Sequence, residues 1–138
     1  MILIRKYDLK TFFKKQLKTI YNIYYCIERQ IPLRAAFLCD IDISILPAGT
    51  IIGHPFGICI SSNTQIGQNV DIRQGATIGT KNPRIPVYQG AIIGDNVFIG
   101  ANSTILGAVI IGDNSIIGAH SLILKDVSEN SIIVGLWK

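Results

Sequence analysis

The sequence predicts a mainly β fold, a parallel β-helix (a solenoid wound in six-residue steps), with a short N-terminal α-helical segment. Isoleucine recurs every six residues through the C-terminal hundred positions. The chain holds 28 Ile in 138 residues but only 16% charged residues, so some repeated interior position demands a β-branched aliphatic. The first 38 residues instead space their apolar side chains by three or four, as a helix does.

The N-terminal segment, residues 1–38, comes first. Leu9, Phe13, Leu17, Ile20, Tyr24 and Ile27 fall on one helical face, with Lys10, Lys14, Lys15 and Lys18 largely off it. Asp8 is placed to cap the start, and Pro32 stops the helix near Gln30. The apolar stripe is expected to pack on the body or on a neighbouring subunit; alternatively residues 8–29, a basic amphipathic helix, make peripheral contact with a membrane surface. Residues 1–38 carry eight basic and two acidic groups, net +6, against five basic and seven acidic in the rest, net −2. The positive charge therefore belongs to the helix, and no nucleic-acid surface is expected on the body.

Residues 39–138 form the predicted solenoid. Ile60, Ile66, Ile72 and Ile78 make one series of anchors, and Ile93, Ile99, Ile105, Ile111, Ile117 and Ile123 another. Four residues after an anchor stands a small or β-branched residue: Thr64, Val70, Ala76, Val97, Ser103, Val109, Ser115, Ser121 and Val127. A short strand followed by a tight turn places both sets inward, and three such units close one triangular coil. Gly67-Gln68-Asn69, Gly94-Asp95-Asn96 and Gly112-Asp113-Asn114 supply residues that tolerate φ > 0 at the turns. Ile78 and Ile93 are fifteen residues apart, not a multiple of six, so a loop at 79–92 is thrown out of the coil. A β-sandwich would space its strands longer and less evenly.

Other classes are excluded by the same reading. Residues 43–70 lack Asp, Glu, Lys and Arg, but Pro, Gly, Asn and Gln interrupt them too often for a membrane span. Met1-Ile2-Leu3-Ile4-Arg5-Lys6 has its charges in the wrong order for a signal peptide, so a soluble, cytoplasmic protein is expected. Cys26, Cys39 and Cys59 are odd in number and lack C-x-x-C spacing, which predicts reduced thiols and no metal site. Cys59, five residues after His54, is an alternative nucleophile.

The chain offers two histidines as candidate general bases. His120 occupies the turn of a regular repeat and reads as an exposed turn residue. His54 stands outside the rhythm, between the Ile51 and Ile60 anchors, where the coil is expected to bulge.

The repeats, with Gly53-His54-Pro55-Phe56-Gly57-Ile58-Cys59-Ile60 and Val70-Asp71-Ile72-Arg73-Gln74-Gly75-Ala76-Thr77-Ile78-Gly79, resemble the hexapeptide-repeat acyltransferases, whose β-helix is left-handed. Within that family they look like the serine O-acetyltransferase branch and, more closely still, its relatives among capsule and exopolysaccharide acetyltransferases. The likeness covers roughly residues 40–135. It implies a trimeric O-acetyltransferase that uses acetyl-CoA and no metal. His54 is then the base for direct attack by an acceptor hydroxyl, oriented by Asp40 or Asp42. The resemblance also implies a donor groove along Gly79, Gly100, Ala101, Gly118 and Ala119, with Lys125 near the nucleotide phosphates. Trp137 would stack on adenine or simply pack. A backbone N–H near Gly75 or Gly79 would stabilise the oxyanion.

Two departures from the family stand out. The family's Asp before the catalytic His is Gly53 here. Its loop His is missing, with Arg84 nearby to hold a carboxylate or phosphate, and this second departure bears on the acceptor. A sugar hydroxyl of a surface-polysaccharide precursor is the expected acceptor. Serine, for cysteine biosynthesis, is the alternative, and a non-catalytic scaffold or ligand-binding β-helix is a third reading.

Overall fold

The computed structural model describes residues 9–82 and 89–138. Asp8, the expected cap, and Arg84 lie outside the described residues. The chain opens with α1 (Leu9–Glu28) and the single turn α2 (Ala35–Leu38), followed by a 3₁₀ turn at Ile43–Ile45. Gln30 takes φ 57° just past α1, the left-handed closure that ends the helix two residues before Pro32.

Among the described residues thirteen short strands follow, winding through three parallel sheets. The first sheet stacks β1 (Ile51–Gly53), β4 (Asp71–Arg73), β7 (Phe98–Ile99), β10 (Ile116–Ile117) and β12 (Ile132–Ile133). The second stacks β2 (Cys59–Ile60), β5 (Thr77–Gly79), β8 (Thr104–Leu106), β11 (Leu122–Ile123) and β13 (Leu136–Trp137). The third holds β3 (Gln65–Ile66), β6 (Ile92–Ile93) and β9 (Ile110–Ile111). Each of the first three coils takes one strand from each sheet; above β9 the third side is marked only by the isolated parallel bridge of Ile111 with Val127, and every described strand pair is parallel.

The interior is the predicted one. All the anchors are buried except Ile66, which is half-buried beside the start of the third sheet, and all nine residues four places after an anchor are buried. Burying one such side chain contributes roughly 1.5–3 kcal/mol, so the repeated column carries much of the fold. Asn69, Asn96, Asn114 and Asn130 stack along one corner at φ 55–57°. Their side-chain amides hand hydrogen bonds from coil to coil at 3.2–3.3 Å.

Two details differ from the expectation. In the first coil the inward anchor is Ile52, in register with Ile72, while Ile51 is exposed; neighbours on a strand face opposite ways, and β1 faces Ile52 inward. From Leu17 onward the stripe on α1 does not pack on the body, since Leu17, Ile20, Tyr24 and Ile27 are all exposed; the side chains of Leu9 and Phe13 lie outside the described residues. The opposite face docks instead, through buried Cys26 and through Asn22. The Asn22 amide donates to Ile41 O at 3.0 Å and accepts from Ile43 N at 3.1 Å. Two directed hydrogen bonds to otherwise unpaired backbone fix the helix rotation, because leaving those groups buried and unmet costs more than leaving apolar surface wet. Among the described residues no helix is long and apolar enough to cross a membrane.

Candidate active site

Along the corner joining the first sheet to the second the coils differ in length. Register-matched inward positions there are Ile52 and Ile60 in the first coil, eight residues apart. In the next three coils the corresponding pairs, Ile72 and Ile78, Ile99 and Ile105, Ile117 and Ile123, are six apart. In the last coil Ile133 and Trp137 are four apart. The first corner is thus two residues longer than the repeat, and His54 begins it.

His54 is exposed and has φ 55°, a left-handed conformation that costs a non-glycine residue about 1–2 kcal/mol. The Pro55 ring follows, and Gly57 (φ 64°) returns the chain to the column of Gly75, Asn102 and His120, all with positive φ. In the regular corners the backbone donors are spent between coils: Gly75 N donates to Phe56 O at 2.9 Å, Asn102 N to Gln74 O at 2.9 Å and His120 N to Ala101 O at 2.9 Å. The Gly75 N–H expected near the oxyanion is therefore already committed.

The carboxylates expected near His54 have other partners. Asp42 caps the 3₁₀ turn, accepting from Ser44 N at 3.1 Å and Ser44 Oγ at 2.6 Å. Asp40 pairs in parallel with Cys59 below the second sheet, and its carboxylate meets Lys18 Nζ at 3.4 Å. The Cys59 thiol points at Asp40 Oδ2 from 4.0 Å. Burial pushes that thiol above its ordinary range, Asp40 pushes the same way, and Lys18 pulls back more weakly. A thiol held protonated is a poor nucleophile, which counts against Cys59 as the attacking group. Asp40, Asp42, Cys59, Thr77, Gly79 and Lys18 all line one groove of about 420 Å³ beside the second sheet. His54 stands at the neighbouring corner, and among the described residues no carboxylate hydrogen-bonds its ring.

The residues expected along a donor groove divide between the two margins of the second sheet. Gly100, Ala101, Gly118 and Ala119 share the corner with His54. A Cβ on Gly100 would stand 2.5 Å from Ala119 N, so glycine there is required by the next coil as well as by anything lying outside. Gly79 and Lys125 lie at the opposite margin, where Lys81 Nζ donates to Leu124 O and Gly107 N to Gly79 O at 2.8 Å. Lys125 Nζ stands 4.4 Å from the centre of the Trp137 ring, whose Nε1 donates to Asp126 O at 3.0 Å, so Trp137 packs against its own chain. Among the described residues no group of His, Cys, Asp and Glu could hold a metal ion.

Sequence reasoning missed one residue of this corner. Arg73 lies in register beside Gly53, against the backbone that leads into His54. The signal was present as Asp71 and Arg73, opposite charges two apart on a strand and hence on one face.

The bacterial transferase hexapeptide family (six repeats) matches residues 90–125. A serine acetyltransferase of Helicobacter pylori is 34% identical over 119 residues, covering 81% of this chain and 67% of the relative. One of Bacillus pumilus is 33% identical over 130 residues, covering 91% of this chain and 55% of the relative. Among solved structures, the Neisseria gonorrhoeae serine acetyltransferase in complex with serine superposes with a TM-score of 0.68 at 29% identity, over 89% of this chain and 54% of that one. Soybean serine acetyltransferase complexed with serine gives 0.68 at 26% identity, over 95% and 62%. The parallel sheets and these likenesses are consistent with the left-handed β-helix. The chain thus spans about half to two thirds of the length of the proteins it matches.

Proposed function

The chain belongs to the serine acetyltransferase family of hexapeptide-repeat transferases, and from that premise we propose that it transfers the acetyl group of acetyl-CoA to the hydroxyl of serine. The observation that carries the reading is His54, an exposed imidazole held in a left-handed conformation on a corner two residues longer than those stacked above it.

His54 takes the proton of the acceptor hydroxyl as its oxygen attacks the thioester carbonyl. The carbon–sulfur bond of the tetrahedral intermediate then breaks, and the imidazolium returns the proton to the departing thiolate of CoA. No acyl-enzyme forms. Imidazole suits this because its neutral ring nitrogen can take a proton and the imidazolium can give it back. Asp40 is the proposed orienting carboxylate, because its ion pair with Lys18 is exposed and exchangeable whereas Asp42 is taken up by Ser44 N and Oγ. The corner of Gly100, Ala101, Gly118 and Ala119 offers small side chains beside which an extended pantetheine can lie, and Lys125 and Gly79 flank the far margin of the same sheet. Arg84 remains an expectation for the acceptor side of the loop. A homotrimer would set the corner of one chain against a neighbouring β-helix.

A sugar hydroxyl is the second reading, favoured by Gly53 where the family carries Asp and by the lack of any His in 79–92. Thiol release from acetyl-CoA is measured with serine, with a panel of sugars, and with no acceptor. Serine-dependent release that His54→Ala lowers by about 10²–10⁴-fold, with CoA binding kept, is the expected result. Sugar-dependent release selects the second reading, and full activity in His54→Ala overturns the mechanism.

A further inference from the structure

Next to His54 the structure holds a charge pair that the chemistry above leaves unused. Arg73 Nη2 donates to Asp71 Oδ2 at 2.7 Å, and the guanidinium carbon lies 5.4 Å from the centre of the Phe98 ring. Arg73 Nε and Asp71 Oδ1 are both buried and without a partner. The pair is thus joined through Nη2 and Oδ2 alone. The remaining nitrogen, Nη1, faces elsewhere. It lies over Gly53, 2.7 Å from where a Cβ on that residue would stand, and makes no hydrogen bond among the described residues. Gly53 is in register with Arg73 and is bonded to His54. Any side chain at position 53 would displace this nitrogen.

We infer that Arg73 is an acceptor-recognition residue: its Nη1 edge binds a carboxylate or phosphate on the molecule whose hydroxyl His54 deprotonates. The inference rests on the reading of His54 as the base. Asp71 and Phe98 hold the guanidinium in place before an acceptor arrives, so little side-chain freedom is lost on binding. An anion gains a charge-assisted hydrogen bond there, whereas a neutral alcohol gains almost nothing. Recognition then separates hydroxy acids and phosphorylated sugars from neutral sugars and amino alcohols. Gly53 is the complement of Arg73, since its missing side chain is the space the guanidinium uses.

The test uses the full chain with four probes: serine, 3-hydroxypropionate, glucose 1-phosphate and ethanolamine. Acetyl transfer is followed by thiol release, and binding by ligand-observed NMR without acetyl-CoA. Arg73→Met is expected to raise KM and Kd for the anionic acceptors by about 10–100-fold, leaving kcat, the KM for acetyl-CoA and any binding of ethanolamine within about twofold. Gly53→Ala, which needs only the flexible end of Arg73 to move, is expected to shift the same quantities less and guards against misfolding of the first variant. Which anion loses more distinguishes a carboxylate from a phosphate source. Unchanged Kd for every anion in both variants, or equal losses for ethanolamine, overturns the inference, as does failure of the wild type to bind any anion. Wild type that binds an anion through Arg73 yet transfers no acetyl group upholds the anion site at Arg73 and overturns the acetyl-transfer reading, and with it the site's role in acceptor recognition.

Discussion

The first corner of the solenoid, residues 54–58, and the regular corners stacked on it, residues 74–76, 101–103 and 119–121, occupy one column and obey different rules. In the regular corners the next coil dictates nearly everything: a Cβ on Gly100 would strike the backbone of Gly118 and Ala119, and one on Gly75 would stand 2.0 Å from Asn102 Oδ1. The amides of Gly75, Asn102 and His120 are all spent on the coil beneath. In the first corner two extra residues relax these demands, and a Cβ on Gly57 would meet only Gly75 Cα at 3.9 Å. A stack of identical turns has no spare donors or space for chemistry, so a site is made where the repeat is broken.

The most forceful way to break this comparison is to make the first corner regular. Deleting Pro55 and Phe56 brings Ile52 and Ile60 to the six-residue separation of the coils above. Circular dichroism is expected to keep the β-helix signature, because the inward column is unchanged. Acetyl transfer is expected to fall by about 10²–10⁴-fold, the value of a positioned general base, although His54 itself remains. Retained activity would show that the extra residues do not place the imidazole.

How far the sequence showed this follows from the same contrast. The six-residue period encodes inside and outside directly, so the anchors from Ile72 to Ile123 and their small partners were legible to the residue. The corner at His54 was legible as a break but not in its register, since Ile51 and Ile52 are equally apolar and only pairing with Ile72 decides between them. The face of α1 that docks was not legible from hydrophobicity at all. It is set by Asn22 reaching the backbone of Ile41 and Ile43, some twenty residues on, which no local period records. Arg73 was hidden for a related reason: its meaning depends on the missing side chain of Gly53 in the adjacent coil.

A milder contrast separates two glycines near this corner. Gly100→Ala puts a methyl 2.5 Å from Ala119 N, where backbone must shift, and is expected to cost about 1–3 kcal/mol in a denaturant melt. Gly57→Ala makes only an ordinary contact with Gly75 Cα but keeps φ 64°, so its cost is the left-handed penalty alone, about 1–2 kcal/mol. Gly57→Asn should cost less again, because Asn102 shows the column accepting that residue at φ 56°. A larger loss for Gly57→Ala than for Gly100→Ala would mean that the first corner is packed as tightly as the others.

The smallest effect is expected at the other histidine. His120 shares with His54 a left-handed φ, 57° against 55°, and an exposed side chain. It differs in standing on a corner of regular length, with its amide bonded to Ala101 O. If conformation and exposure made the base, the two would be interchangeable; if the widened corner makes it, only His54 matters. His120→Asn keeps a residue suited to φ > 0, as the stacked asparagines at the other corner do, so stability is expected to change by less than about 0.5 kcal/mol. Acetyl transfer by this variant, measured as thiol release, is expected to stay within about twofold of wild type, since no proton-transfer role is lost. A drop of tenfold or more would move the chemistry from the break in the repeat to the repeat itself.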